Sequence, residues 1–152
     1  MAVDPGVVGT ELPTTSLTVD RGRLRFFAKA IGETNPIFTH VDAAVAGGHR
    51  DLPVPPTFLF SIELEAPDPF AYLAALGVDL RFVLHGEQSF TYHESAYAGD
   101  ELVAHPRITD VYAKKAGALE FIVKDTAVTR ADGTPIADLR SVIVVRTPGG
   151  GA

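Results

Sequence analysis

The sequence predicts an α+β domain in which one long antiparallel sheet wraps around a single, mostly apolar α-helix. Three observations point there. From Asp20 to about Ala75 the chain has a helical pattern broken by prolines, whereas from about Phe82 to Arg146 it is strand-like. The run "TFLFSIELEA" is apolar almost all round, the mark of a helix buried on most sides. The last three strand candidates are joined by connections so short that they must form an antiparallel meander.

Each element has a local reason. "VDRGRLRFFAKAIGE" opens at Asp20, a good N-cap, and carries Leu24, Phe27, Ala28 and Ile31 on one face. It closes at Gly32, where a C-cap glycine belongs. "DAAVAGG" predicts one or two further helical turns, capped by Asp42 and ended by paired glycines. The central helix follows "LPVPP", with Pro56 at its first position and Pro67 as its stop. "PFAYLAALG" gives another short helix closed by Gly77. The strand candidates are "EQSFTYHES", "ELVAHPRITDVYAKK", "ALEFIVKDTAVTR" and "PIADLRSVIVVR", rich in Val, Ile, Thr and aromatic residues with partial alternation. "ADGT" between the last two is a strong hairpin signal. Pro106 assigns its part of the second strand to an edge or a bulge.

With 152 residues, 46% of them hydrophobic, the chain has the size of one domain spanning 1–152, with flexible ends at about 1–6 and 147–152. The net charge of −6 is modest and the basic residues are scattered, so nucleic acid is not an expected partner. The absence of cysteine rules out disulfides, thiolate zinc sites and a thiol nucleophile. The N-terminus lacks the charged start and apolar block of a signal peptide, and no apolar run reaches the roughly 20 residues of a membrane span. A soluble cytoplasmic protein without membrane contact is expected. The five histidines have no metal-ligand spacing, so neither metal nor cofactor is expected.

The chemistry is concentrated in "ETNPIFTHVDAAVAGGHRDLPVPPTF", residues 33–58, where carboxylates and histidines lie between hydrophobic runs. Glu33, His40 and Asp42 are the acid–base candidates there. Taken with "LHGEQSFTYHESAYAGDEL" and "GTPIADLRSVIVVR", this stretch resembles the MaoC-like dehydratases, in particular their N-terminal-type domain. The resemblance covers roughly residues 7 to 146, and it implies the hot-dog fold. It also implies the addition or removal of water across the 2,3-bond of acyl thioesters of coenzyme A or acyl carrier protein, with (R)-3-hydroxyacyl products. Members of that family commonly pair as dimers of hot-dog domains.

Such a reaction needs a base for the α-proton, an acid for the departing hydroxyl and donors for the enolate oxygen. Active relatives supply the first two in a motif Gly-Asp-x-Asn-Pro-(Leu/Ile)-His. Here Gly32, Asn35, Pro36 and Ile37 match, Glu33 falls at the aspartate and Phe38 at the histidine. Phenylalanine cannot move a proton, and Glu for Asp displaces the carboxylate by roughly 1 Å, enough to spoil an attack geometry. His40 stands two residues on. An extended segment would put it beside Phe38, whereas a helical turn would direct it elsewhere.

By this resemblance the chain is the acyl-binding, catalytically degenerate subunit of a heteromeric dehydratase or hydratase, paired with a hot-dog chain that keeps the Asp–His pair. Three alternatives stand beside it. One is a self-sufficient homodimer using Glu33 or Asp42 with His40. Another is a hot-dog thioesterase using Glu63 or Glu65 on the central helix, although acids late in that helix are expected to be solvated. The third is an acyl-binding module without chemistry.

The substrate-binding candidates are Asn35, Phe38, Pro56, Thr57, Phe58, His85 and Gly86. Thr57 matches the position whose backbone N–H serves as the oxyanion donor in relatives. His85 and Gly86, at the start of a strand, would line the thioester tunnel, or else form a turn with an exposed histidine. Tyr92 is expected to face inward and His93 outward. Asp100 is expected to shape a turn, and Arg50 is a candidate contact for a phosphate of the carrier.

Overall fold

The computed structural model describes residues 3–147. Five strands form one curled antiparallel sheet: β1 (Thr15–Thr18), β2 (Val83–Tyr92), β3 (Glu101–Lys114), β4 (Leu119–Arg130) and β5 (Pro135–Arg146), in the spatial order β1-β3-β4-β5-β2. Three short α-helices, α1 (Arg21–Ala30), α2 (Val41–Ala46) and α3 (Ala71–Ala75), surround a central helical segment, Pro56–Glu65. The α+β hot-dog arrangement expected from the sequence is present. The long strands alternate as a half-buried sheet should, with Leu102, Ala104, Pro106 and Ile108 of β3 turned inward.

The central segment is a 3-10 helix, not the expected α-helix. It has no side-chain cap, its first residue is proline, and Thr57, Phe58, Phe60 and Ile62 are poor α-formers. At three residues per turn, side chains three apart stack in rows. Leu59 and Ile62 share a buried row, with Phe58 buried beside them. Leu64 remains 45% exposed, so the burial on most sides that the composition suggested leaves that position out. This row packs with Leu24, Leu52, Leu102, Val128 and Leu139. A second cluster, with Leu73, Ile108, Ile122 and Ile143, fills the other end of the sheet.

Several boundaries differ from the sequence expectations. β1 is an additional strand of only four residues, hydrogen-bonded from Thr15↔Ala104 to Thr18↔Glu101. β2 begins at Val83, four residues earlier than expected, and ends at Tyr92. Gly86 therefore lies within the strand, at a bulge between His85 and Glu87, and not in a turn. The N-cap of α2 is His40, so Asp42 sits inside the first turn. Where a flexible end was expected, Val3 is fully buried and Asp4 caps a largely exposed turn at Pro5–Val7. Residues 148–152 of the expected flexible tail lie outside the described residues.

Pro106 is paired with Thr126 of β4, and its carbonyl on the opposite side accepts from the Leu12 N–H. Its missing N–H falls where the β1 ladder has already ended at Ala104. The bulge in β3 lies slightly further on, between Ile108 and Asp110.

Asp100 ties the helical half to the sheet. Gly99, at φ +93°, makes the turn, while one Asp100 oxygen accepts from the Tyr97 N–H at 2.9 Å. The same carboxylate pairs with Arg50 and with Arg130, the latter at 3.2 Å. Arg50 also lies over the Tyr97 ring at 4.6 Å. Next to this node, Val54 N–H donates to the Ala96 carbonyl and Ala98 N–H to that of Leu52, which fixes the approach to the central helix. Burial pushes the Asp100 carboxyl up. Hydrogen bonds from Arg50, Tyr97 and Arg130 together outweigh it and hold the group below the usual carboxylate range.

A folded-state pKa below the unfolded value gives stability that is complete above about pH 4 and is lost as pH falls through the depressed value. Asp100→Asn is therefore expected to cost about 2 kcal/mol at neutral pH. Urea unfolding between neutral and acid pH should show the difference from wild type shrinking as the pH falls. Gly86→Ala should also destabilise the fold, by about 1–3 kcal/mol. An added Cβ there would stand 2.7 Å from Val144 Cγ2 and 3.1 Å from the Val142 carbonyl oxygen. Urea titration at neutral pH measures this loss.

Candidate functional site

The stretch 33–58 folds as a series of tight turns leading to the start of the central helix. α1 ends at Ala30 and Gly32, at φ +72°, redirects the chain. The Glu33 N–H then donates to the Ala28 carbonyl. The Glu33 carboxylate accepts from the Asn35 N–H at 2.8 Å, and the Asn35 side chain caps a 3-10 turn, Pro36–Phe38, through the Ile37 N–H. The Asn35 side-chain oxygen thus serves as a cap in this chain. Ile37 and Val41 pack against the cluster that contains Phe58 and Leu59, and so hold this segment beside the central helix.

The 3-10 turn decides the direction of His40. Phe38 is half-buried within the turn, whereas His40 follows it and is exposed. The His40 N–H donates to the Pro36 carbonyl, and Nδ1 lies 2.9 Å from the Thr39 hydroxyl. Asp42 is exposed in the first turn of α2. Among the described residues no hydrogen bond or ion pair joins His40 to Glu33 or to Asp42. The three titratable candidates lie within one short segment, yet Glu33 is bonded to the Asn35 backbone and His40 to its neighbour Thr39, while Asp42 is exposed.

At the helix start, Pro55 is buried, Pro56 and Thr57 are exposed, and Phe58 is buried with its ring edge-on to Phe27 at 5.4 Å. The first hydrogen bond of the helix runs from the Phe58 N–H to the Pro55 carbonyl, so the Thr57 N–H precedes the helical ladder. A cavity of about 230 Å³ adjoins this end, lined by Val54, Pro56, Leu59, Tyr92, His93 and Ile136. Tyr92 does share a face with Phe90, on which it stacks at 5.8 Å, but it is 49% exposed, and His93 pairs with Asp138 at 2.8 Å.

Further along the helix, His85 stacks on Phe60 at 5.4 Å and lines a cavity of about 340 Å³. Its Nε2 lies 3.0 Å from the Glu87 carbonyl across the bulge at Gly86. Arg50, the candidate phosphate contact, is committed to Asp100 and Tyr97.

The two helix acids are not simply solvated, as their position had suggested. Glu65 pairs with Arg23. Glu63 is 13% exposed, accepts from Lys124 Nζ at 2.8 Å and from the Thr126 hydroxyl at 3.2 Å. Lys124 lies 5.0 Å from the centre of the Tyr72 ring. Burial, reinforced by the charge of Glu63, raises the Tyr72 hydroxyl above its ordinary range. Sequence reasoning passed over Lys124 and Tyr72. The signal for Lys124 was its period-two spacing from Ile122 and Thr126, which puts it on the inner face of β4. Among the described residues no cluster of three or more His, Asp or Glu could hold a metal ion, and no helix is long and apolar enough to cross a membrane.

The fold and the sequence both have known relatives. The sequence model of the FAS1-like dehydratase domain region matches residues 6–139. A UPF0336 protein from Saccharopolyspora erythraea is 32% identical over 96% of the chain and 93% of its own length. Another, from Leifsonia xyli, is 36% identical over 95% of the chain and 96% of its own length. Among solved structures, the C-terminally truncated HadBC complex of Mycobacterium tuberculosis, a (3R)-hydroxyacyl-ACP dehydratase, is similar at a TM-score of 0.78 with 23% identity, covering 95% of this chain and 99% of that one. The R-hydratase PhaJ1 of Pseudomonas aeruginosa is similar at 0.68 with 14% identity, covering 91% and 81%. These structural likenesses establish the fold, and the sequence matches establish the family: the chain belongs to the FAS1-like dehydratase domain region family and to the UPF0336 proteins.

Proposed function

We propose that this chain is the acyl-binding, catalytically degenerate subunit of an (R)-specific 3-hydroxyacyl-thioester dehydratase or enoyl-thioester hydratase. The observation that carries the reading is Phe38 in the place of the motif histidine, held in a 3-10 turn that sends His40 to Thr39 and to solvent. General acid–base catalysis requires hydrogen-bond reach to the proton being moved, and this segment offers no joined pair for it. The proton transfers then belong to a second hot-dog chain carrying Asp and His.

Two further features support that division of labour. HadBC and the ChsH1–ChsH2 complex of Mycobacterium tuberculosis, the latter similar at a TM-score of 0.75, are each assemblies of two named chains. In this chain β2 forms one edge of the sheet, and Leu84 on it is 50% exposed. An unpaired, partly apolar edge is a place for a second polypeptide.

In the reaction, the partner's base takes the α-proton and its acid delivers a proton to the departing hydroxyl. This chain contributes the apolar surroundings of the acyl group and the Thr57 N–H at the helix start, a donor for the thioester oxygen as negative charge develops there. The carrier is coenzyme A or acyl carrier protein. Commitment of Glu63 to Lys124 and Thr126 argues against the thioesterase alternative, in which that carboxylate would have to activate water.

The test is hydration of crotonyl-CoA and of a longer enoyl-CoA, followed by loss of the enoyl absorbance. The purified chain alone should be inactive, and a hot-dog partner with an intact Asp–His motif should restore turnover. Robust activity of the chain alone, abolished by His40→Ala, would favour the self-sufficient homodimer and sink the subunit reading. Thiol release from a saturated acyl-CoA would support the thioesterase.

In the restored complex, Phe38→Ala should change the KM for enoyl-CoA more than kcat, because an apolar wall contributes binding shared by ground and transition states. A fall in kcat alone would show that Phe38 instead positions the reacting groups.

A further inference from the structure

Two cavities, of about 630 Å³ and about 340 Å³, lie on either side of one polar partition. Pro69 and the side chains of Glu63, Tyr72 and Lys124 line both. The larger cavity is otherwise walled by the N-terminal segment around Leu12–Ser16 and by Ile108, the smaller by Phe60, Leu84, His85 and Ile143. Both are predominantly apolar in their lining. The partition is built from buried charge: Lys124 is 9% exposed and Glu63 13%, with the ammonium 2.8 Å from the carboxylate.

Such a pair is not needed to hold the central helix on the sheet. Well-packed apolar residues of similar volume in place of a buried ion pair are commonly as stabilising or more so, because two charges must be desolvated to form it. A few fixed polar groups in an otherwise apolar cavity do, however, select and orient a ligand. The ammonium has three N–H donors. Glu63 accepts one of them and the Tyr72 ring face lies 5.0 Å away, while the residue borders both cavities.

The geometry points to Lys124, held by Glu63, as a specificity determinant for acyl chains that carry an oxygen function, a hydroxyl or keto group, on their distal part. A neutral oxygen accepts from the ammonium without disturbing its pairing, whereas a second carboxylate would meet the charge of Glu63. Glu63 follows Thr57 by six residues, about 12 Å along a 3-10 helix, so the group recognised lies well down a medium-length chain and not at the reacting carbons. The proposal rests on the acyl-binding reading above and deepens it to a substrate class.

Binding of decanoyl-CoA and of 10-hydroxydecanoyl-CoA to the purified full chain, measured by calorimetry, tests it. The hydroxylated ligand should bind about five- to tenfold more tightly to the wild type. In the double variant Lys124→Met, Glu63→Leu, which leaves no unpaired charge, the ratio of the two affinities should fall to about one. Equal affinities in the wild type would overturn the proposal, whether or not the variant folds. A preference that survives in the folded double variant would also overturn it. Binding of neither ligand would overturn the acyl-binding reading and this proposal together, which separates the two failures.

Discussion

Most of this structure depends on one constraint: a curled sheet whose inner face must be covered by a single helical segment. Leu59 and Ile62, in one row of a 3-10 helix, meet that need, with Phe58 beside them. The tighter helix is longer per residue than an α-helix, about 2.0 Å against 1.5 Å, so ten residues span the sheet from the Pro55–Pro56 corner to the Glu65–Arg23 pair. The candidate oxyanion donor at Thr57 and the ion pair at Glu63 are two ends of this same element. What positions one therefore positions the other.

The fold was legible because its signals are periodic and local. The Asp20 cap, the Gly32 stop, the "ADGT" hairpin and the alternation in β3 to β5 each follow from nearest neighbours in sequence. Where reading failed, the deciding interaction was distant. β1 is four residues long and exists because Ala104 to Glu101 offer it a ladder. Gly86 looks like a turn glycine until Val142 and Val144 of β5 are seen pressing on it. The 3-10 form of the central helix was hidden by its composition, which suits an α-helix equally well on apolarity alone.

The site was legible in a different way. Residue types in 33–42 revealed the motif and the departure from it at Phe38, but not the direction of His40, which is set by the turn that Asn35 caps. Lys124 could have been placed inward by alternation. Its partner Glu63, 61 residues away in sequence, could not. Acids at the end of an apolar helix look solvated until the opposing strand is known to supply a cation.

The pairing of Thr15 with Ala104 also has a consequence for the order of events in folding. Everything up to Phe82 precedes the four long strands, so when synthesised the helical half has no sheet against which to bury Leu24, Phe58 and Ile62. β3 to β5 can form from near neighbours in the chain, whereas β1 and the central helix close loops of high entropy and must join late. Until then Phe27, Phe58 and Phe60 have no sheet to pack against, and transiently uncovered apolar surface of this kind favours aggregation.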